Sequence, residues 1–252
     1  MKSAQILREK IASNRPVLGM LLAYDLSIEL IELSMKAGLD YAIIDGEHLV
    51  HEPTLVADCC AMGRVADFPV LYRPSHTDTP AIRIAMDLGP CGLLCPMVET
   101  VAQLDEIRAG VYMPPRGVRR PGGRSNRWLG TFNYENFKTI VEDDVIIIAQ
   151  IESPQGIDNA DAIAADDMVT AMGIGPFDLS AKLGLCHEPG HPTLLAAWDA
   201  IHTSAKNAGK SMWAIGDAKI LHDRGLRFIC IGEPMVMLEN VARGVVEQLQ
   251  SR

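Results

Sequence analysis

Glu152 and Asp178 each stand where an apolar run, VIIIAQIES in one case and MVTAMGIGPFD in the other, breaks into a loop. Two carboxylates delivered from neighbouring strand ends are hard oxygen ligands that suit a divalent cation such as Mg²⁺ or Mn²⁺, with positions left for substrate oxygens. Gln150 lies two residues before Glu152; side chains alternate along a strand, so both point to one side while Ile151 faces the other. In GIGPFDLS, Gly173 and Gly175 permit close backbone approach, and amides ahead of the next helix can hold a carboxylate. Asp178 has a second reading, as the N-cap of that helix.

Two further strand ends carry reactive groups. In IIDGEHLVH, Asp45 and His48 are three residues apart, so the carboxylate can orient the imidazole and raise its basicity, as a general base requires; a structural histidine is the alternative. In PVLYRPSH, Arg73 closes an apolar run and can bind a substrate carboxylate or stabilise an enolate oxygen, or instead pair with the metal carboxylates. The eight lysines fall mainly in helical or terminal segments, with only Lys182 and Lys219 near strand ends. An imine-forming lysine inside the barrel is therefore not expected, and a metal is the expected electron sink.

These residues need a frame that brings strand ends together. Short apolar runs occur at 17–22, 41–44, 70–73, 92–95, 145–151, 168–172, 211–215 and 228–231. Most are continuously apolar, the mark of strands covered on both faces of a parallel sheet. Eight such runs, with helical segments between them, predict a (β/α)₈ TIM barrel, whose chemistry sits at the carboxyl ends of its strands. LSIELIELSMKAG and TVAQLDEIRAG are amphipathic and close on glycine, as helices do. A doubly wound dinucleotide-binding sheet would want G-x-G-x-x-G after the first strand, where the chain has GMLLAYDLS. Residues 111–141 form the one long excursion, a length that usually has a function.

A chain of 252 residues with no linker-like stretch predicts one domain over 1–252. The net charge of −9 disfavours nucleic acid or an anionic membrane as partner. Five arginines between Arg116 and Arg127 reverse the sign locally, which fits either an anionic substrate or a solvated or subunit-interface loop. The six cysteines show no ligand or disulfide spacing, and no stretch resembles a secretory signal or a membrane span, so a cytoplasmic enzyme with reduced thiols is expected.

Taken in order, IIDGEH, VLYRP, LLCPMVE, YMPPRGVR, QIES, GIGPFDLS and HPTLLAAW resemble the HpcH/HpaI aldolases, metal-dependent (class II) enzymes related to the citrate lyase β subunit, over nearly the whole chain. The resemblance implies that 4-hydroxy-2-oxo acids, such as 4-hydroxy-2-oxoheptanedioate or 2-keto-3-deoxy sugar acids, are cleaved or formed through an enolate of pyruvate, with an aldehyde as the second product. It implies Glu152 and Asp178 as ligands of Mg²⁺, Mn²⁺ or Co²⁺, Arg73 at the enolate, His48 with Asp45 in acid–base work, and Gln150 in support. The backbone around Gly175, Pro176 and Phe177 would cradle the pyruvate carboxylate. A homohexamer, a trimer of dimers exchanging C-terminal helices, is expected. The chain departs from the family pattern at Arg120-Pro121-Gly122, in a shorter seventh strand and its connection with Trp213 beside the aldehyde pocket, and in the bulk of Phe177. A CoA-thioester lyase of the citrate lyase type, using the arginine loop, and a catalytically silent barrel are the alternatives.

Overall fold

The computed structural model of the protein describes all residues except 14, 121, 187 and 251–252. Eight parallel strands close a barrel in chain order: β1 (Val17–Leu22), β2 (Tyr41–Asp45), β3 (Val70–Arg73), β4 (Gly92–Cys95), β5 (Ile146–Ile151), β6 (Ala171–Ile174), β7 (Ser211–Ile215) and β8 (Phe228–Cys230). The predicted TIM barrel is thus the observed fold. β2, β4, β5, β6 and β8 are buried along their whole length, which is why their sequences run apolar without alternation. Inside the barrel three aromatics interlock: Trp213 Nε1 donates to the Tyr41 hydroxyl at 2.9 Å, and Phe228 meets the Tyr41 ring edge-on at 5.0 Å. Gly19 makes room for them, since a β-carbon there would fall 2.4 Å from Tyr41 Cζ.

The helix Lys2–Ala12 seals the N-terminal end of the barrel. Its Ala4, Leu7 and Ile11 are buried, Arg8 donates to the Asp144 and Val145 carbonyls just before β5, and Ser211 at the start of β7 donates to the Ile11 carbonyl.

Two local expectations are corrected. The run at 168–172 starts too early: Met168 and Val169 are buried in a turn held by the Asp166 carboxylate, and the strand continues through Gly173, which pairs with Gln150 and Trp213. Gly110 does not end its helix, which extends over Val101–Val111; the glycine instead admits the neighbouring helix, as a β-carbon would lie 2.7 Å from Ile82 Cβ. Gly38, at φ +82°, does terminate Ile28–Lys36.

The arginine-rich excursion is pinned at the N-terminal end. Arg116 reaches Asp143 at 2.6 Å and Glu142 at 3.3 Å, both ahead of β5, and stacks on Tyr112. Arg119 is fully buried against Asp87, the last residue of the helix Thr79–Asp87, and Arg124 pairs with Asp58. Their charges are spent on local partners, so within one chain the loop does not present them to its own barrel mouth. Pro121 lies outside the described residues.

The last helix, Pro234–Gln250, buries none of its residues, and Leu238, Val241, Val245 and Leu249 form an exposed apolar stripe.

Candidate active site

A cavity of about 650 Å³ opens at the carboxyl ends of the strands. Asp45, His48, Arg73, Gln150, Gly175, Pro176, Phe177 and Asp178 all line it, together with Trp213 and Glu233. Glu152, the other expected metal ligand, is 1% exposed and lies directly behind Gly175.

Register explains the core of this arrangement. Asp45 and Arg73 are paired residues on adjacent strands, and their side chains meet in a two-pronged ion pair, Nε to Oδ1 at 2.8 Å and Nη2 to Oδ2 at 2.7 Å. Burial pushes the Asp45 carboxyl up, but the hydrogen bonds and charge of Arg73 outweigh it and hold it below the ordinary range. Burial likewise lowers Arg73, and Asp45 and Glu47 more than offset it. The expected Asp45–His48 pairing is therefore corrected: Asp45 spends both oxygens on Arg73, with Oδ1 also accepting from the Glu47 amide. His48 stands at the rim with a side chain 55% exposed, and its nearest carboxylate is Glu47, at 3.8 Å, beyond hydrogen-bond length.

Glu152 is held by one oxygen only. Its Oε2 accepts from the Met97 amide at 2.9 Å, while Oε1 is buried without a partner. A β-carbon on Gly175 would fall 1.7 Å from that oxygen and 2.8 Å from Gln150 Nε2, so a glycine is needed where β6 passes over β5's polar end. Burial, with added repulsion from Glu47 and Asp178, raises the Glu152 carboxyl to about 8 against the pull of the Met97 amide and Arg73. Burial also raises Glu47, whose Oε2 lies 3.1 Å from Arg73 Nη1. Asp178 is half-buried in the first turn of Pro176–Lys182, and Gly175, not Asp178, occupies the N-cap position. A buried carboxylate oxygen with no donor fits a cation. Among the described residues no group of three or more His, Cys, Asp or Glu side chains could hold a metal. A metal here would thus rest on Glu152 and Asp178 and complete its shell from substrate and water.

The pattern of the HpcH/HpaI aldolase/citrate lyase family matches residues 20–232. The chain belongs to this family. Among relatives, a hydroxypyruvate/pyruvate aldolase of Chromohalobacter salexigens is 34% identical over 225 residues, covering 86% of this chain and 87% of that protein. A 4-hydroxy-2-oxo-heptane-1,7-dioate aldolase of Salmonella heidelberg is 31% identical over 260 residues, covering 100% of this chain and 95% of the relative. The crystal structure of an HpcH/HpaI aldolase from Desulfitobacterium hafniense shares the fold, with a TM-score of 0.89, 24% identity and coverage of 98% and 97%.

Three contributors to this HpcH/HpaI site escaped the sequence reading. Glu47 sits beside Asp45 and His48, but spacing alone does not show that it packs on Arg73. The Met97 amide is backbone chemistry: φ of +55° aims it at Glu152, and Gln103, in a capping box with Thr100, donates to the Met97 carbonyl. The T-x-x-Q in VETVAQ was the available signal for that loop. Glu233, after β8, has one oxygen on the Val236 amide and the other without a partner.

Proposed function

We propose that the protein is a divalent-metal-dependent aldolase that cleaves or forms 4-hydroxy-2-oxo acids, with pyruvate and an aldehyde as the other side of the reaction. The observation that carries this reading is the unpartnered, buried Glu152 oxygen behind Gly175, next to a cavity that presents Asp178 and the Asp45-anchored Arg73. Held by Glu152 and Asp178, Mg²⁺, Mn²⁺ or Co²⁺ would supply Lewis acidity at the C2 keto oxygen. Arg73 is 5% exposed and held by Asp45 and Glu47, so its guanidinium is a fixed positive charge for the negative charge that collects on that oxygen. His48, at the solvent-facing rim, takes the C4 hydroxyl proton directly or through water as the C3–C4 bond breaks, and a proton is then returned to C3. Gln150 steadies the keto acid, and the backbone of Gly175, Pro176 and Phe177 cradles its carboxylate.

The relatives named as aldolases support the free keto acid over a CoA thioester. So does the arginine loop, in which Arg116, Arg119 and Arg124 are paired with Asp143, Asp87 and Asp58, away from the cavity. The coexistence of Glu152, Asp178 and Arg73 around one cavity speaks against a silent barrel. Chain 1–252 would act as one domain inside a homo-oligomer whose protomers exchange C-terminal helices; the unburied apolar stripe of Pro234–Gln250 supports this. A cytoplasmic setting fits six unbonded cysteines, and among the described residues no helix is long and apolar enough to cross a membrane.

The test is pyruvate release from 4-hydroxy-2-oxo acids of varied length, by protein stripped with EDTA and reloaded with each metal. Pyruvate formed only with metal supports the aldolase. None with any metal, from an intact oligomer, moves the reading to a thioester substrate or a silent barrel.

A further inference from the structure

The cavity has two unlike halves. Strands β2 to β6 carry its cation-binding and enolate chemistry, and the ends of β7, β8 and β1 supply the opposite wall. That second wall is apolar, built from Leu21, Ala23, Trp213, Ile215 and Val236, with Tyr24 at its exposed edge. One ionisable carboxylate interrupts it, Glu233.

Its position is enforced by backbone. The β1 ladder runs on past β8: Ile231 donates to the Gly19 carbonyl and Leu21 donates to the Gly232 carbonyl. Gly232, at φ +132°, then turns the chain so that Glu233 stands at the head of Pro234–Gln250. Glu233 is 8% exposed. Its Oε2 accepts from the Val236 amide at 2.9 Å, which fixes the carboxylate. Oε1 is buried and has no partner, and Glu233 is one of the residues that line the cavity. Capping alone accounts for one oxygen and leaves the other unexplained, since a buried acceptor without a donor is unfavourable.

Among the described residues that line the cavity, the only basic side chains are Arg73 and His48, both contributed by the β2–β3 side. This second wall therefore offers an anionic acceptor and no cation.

We infer that Glu233 is a specificity-determining residue whose Oε1 accepts a hydrogen bond from a hydroxyl on the aldehyde partner, so that neutral hydroxyaldehydes are preferred and carboxylate-bearing aldehydes are repelled. This rests on the aldolase reading and names the substrate class for the same site. A hydroxyl satisfies the orphan oxygen; a second carboxylate would set two anions against each other on an apolar wall.

The experiment uses the metal-loaded oligomer with pyruvate as nucleophile and three aldehydes: glycolaldehyde, propionaldehyde and succinate semialdehyde. For the wild type, kcat/KM is expected to rank glycolaldehyde above propionaldehyde and both above succinate semialdehyde. In Glu233→Gln, whose amide oxygen can still accept from Val236, the glycolaldehyde-to-propionaldehyde ratio should fall roughly tenfold, as for loss of a charged acceptor. The succinate semialdehyde-to-propionaldehyde ratio should rise. A purely capping role would scale all three aldehydes together and leave both ratios unchanged, which overturns the inference. A wild-type preference for succinate semialdehyde overturns it without any variant. Replacing pyruvate by hydroxypyruvate locates the hydroxyl: if the Glu233→Gln effect tracks the nucleophile instead of the aldehyde, the assignment to the aldehyde is wrong. Metal-dependent exchange of pyruvate methyl protons in D₂O, read on the wild type, separates the two levels. No exchange removes the aldolase reading and this inference with it, whereas exchange with unchanged aldehyde ratios removes this inference alone.

Discussion

The two ends of the barrel are built from the same residue types and use them in opposite ways. At the N-terminal end, Arg116 answers Glu142 and Asp143, Arg108 answers Asp105, Asp166 and Asp167, and the chain's amino terminus answers Asp144. At the mouth, two buried carboxylate oxygens, on Glu152 and Glu233, have neither a hydrogen-bond donor nor an ion-pair partner, and no other buried carboxylate oxygen among the described residues is in that state. Saturated charge stabilises a fold. Unsaturated charge costs stability and holds a place for a ligand.

The sharpest separation of the two ends should come from Glu152. Glu152→Gln is expected to lower kcat/KM by roughly 10³-fold or more and to abolish tight metal binding in calorimetry; turnover near wild type would remove Glu152 from the site. Arg73→Lys comes next, with a loss on the order of 10²-fold in kcat/KM, because an ammonium cannot reproduce the two contacts to Asp45 together with the one to Glu47 and so does not hold the charge in place. Gly175→Ala should weaken metal affinity by about tenfold to a hundredfold, because its β-carbon displaces the Glu152 carboxylate; an unchanged titration would show that the crowding is relieved without cost.

A pH effect follows from the same carboxylate. The Glu152 value of about 8 in the folded, metal-free protein stands above the ordinary value of 4.5. The folded state therefore keeps this proton after the unfolded chain has lost it. The associated stability is complete below the unfolded value and is lost as pH rises through the folded one. Melting of EDTA-treated protein should show a decline between about pH 5 and 9 that Glu152→Gln flattens; parallel curves for the two proteins would contradict it. The smallest effect belongs to the saturated end: Arg116→Ala should leave kcat unaltered within about twofold and lower stability by about 1 kcal/mol, given a half-exposed ion pair.

The same contrast marks what the sequence made legible. Continuous apolar runs located β1, β3, β4 and β7 at their observed bounds, because a strand buried on both faces leaves a plain record. β6 was displaced toward its N-terminus because Gly173 reads as loop, although its lack of a side chain is what lets β6 lie between Gln150 and Trp213. In the site, residues whose type is rare at a strand end, namely Glu152, Arg73 and Asp45, were visible from type alone. Partnership was not: that Asp45 belongs to Arg73 depends on the register between β2 and β3, and Met97 contributes through a backbone angle that no side chain announces.

Trp213 stands in the cavity wall with its side chain fully buried and its N–H committed to Tyr41. Of the chain's three tryptophans, it is the one that lines this cavity. The protein thus carries its own optical probe: a buried indole in the cavity wall whose emission should change when the cavity fills. Occupancy could then be followed by fluorescence in real time, with no coupled assay and no label.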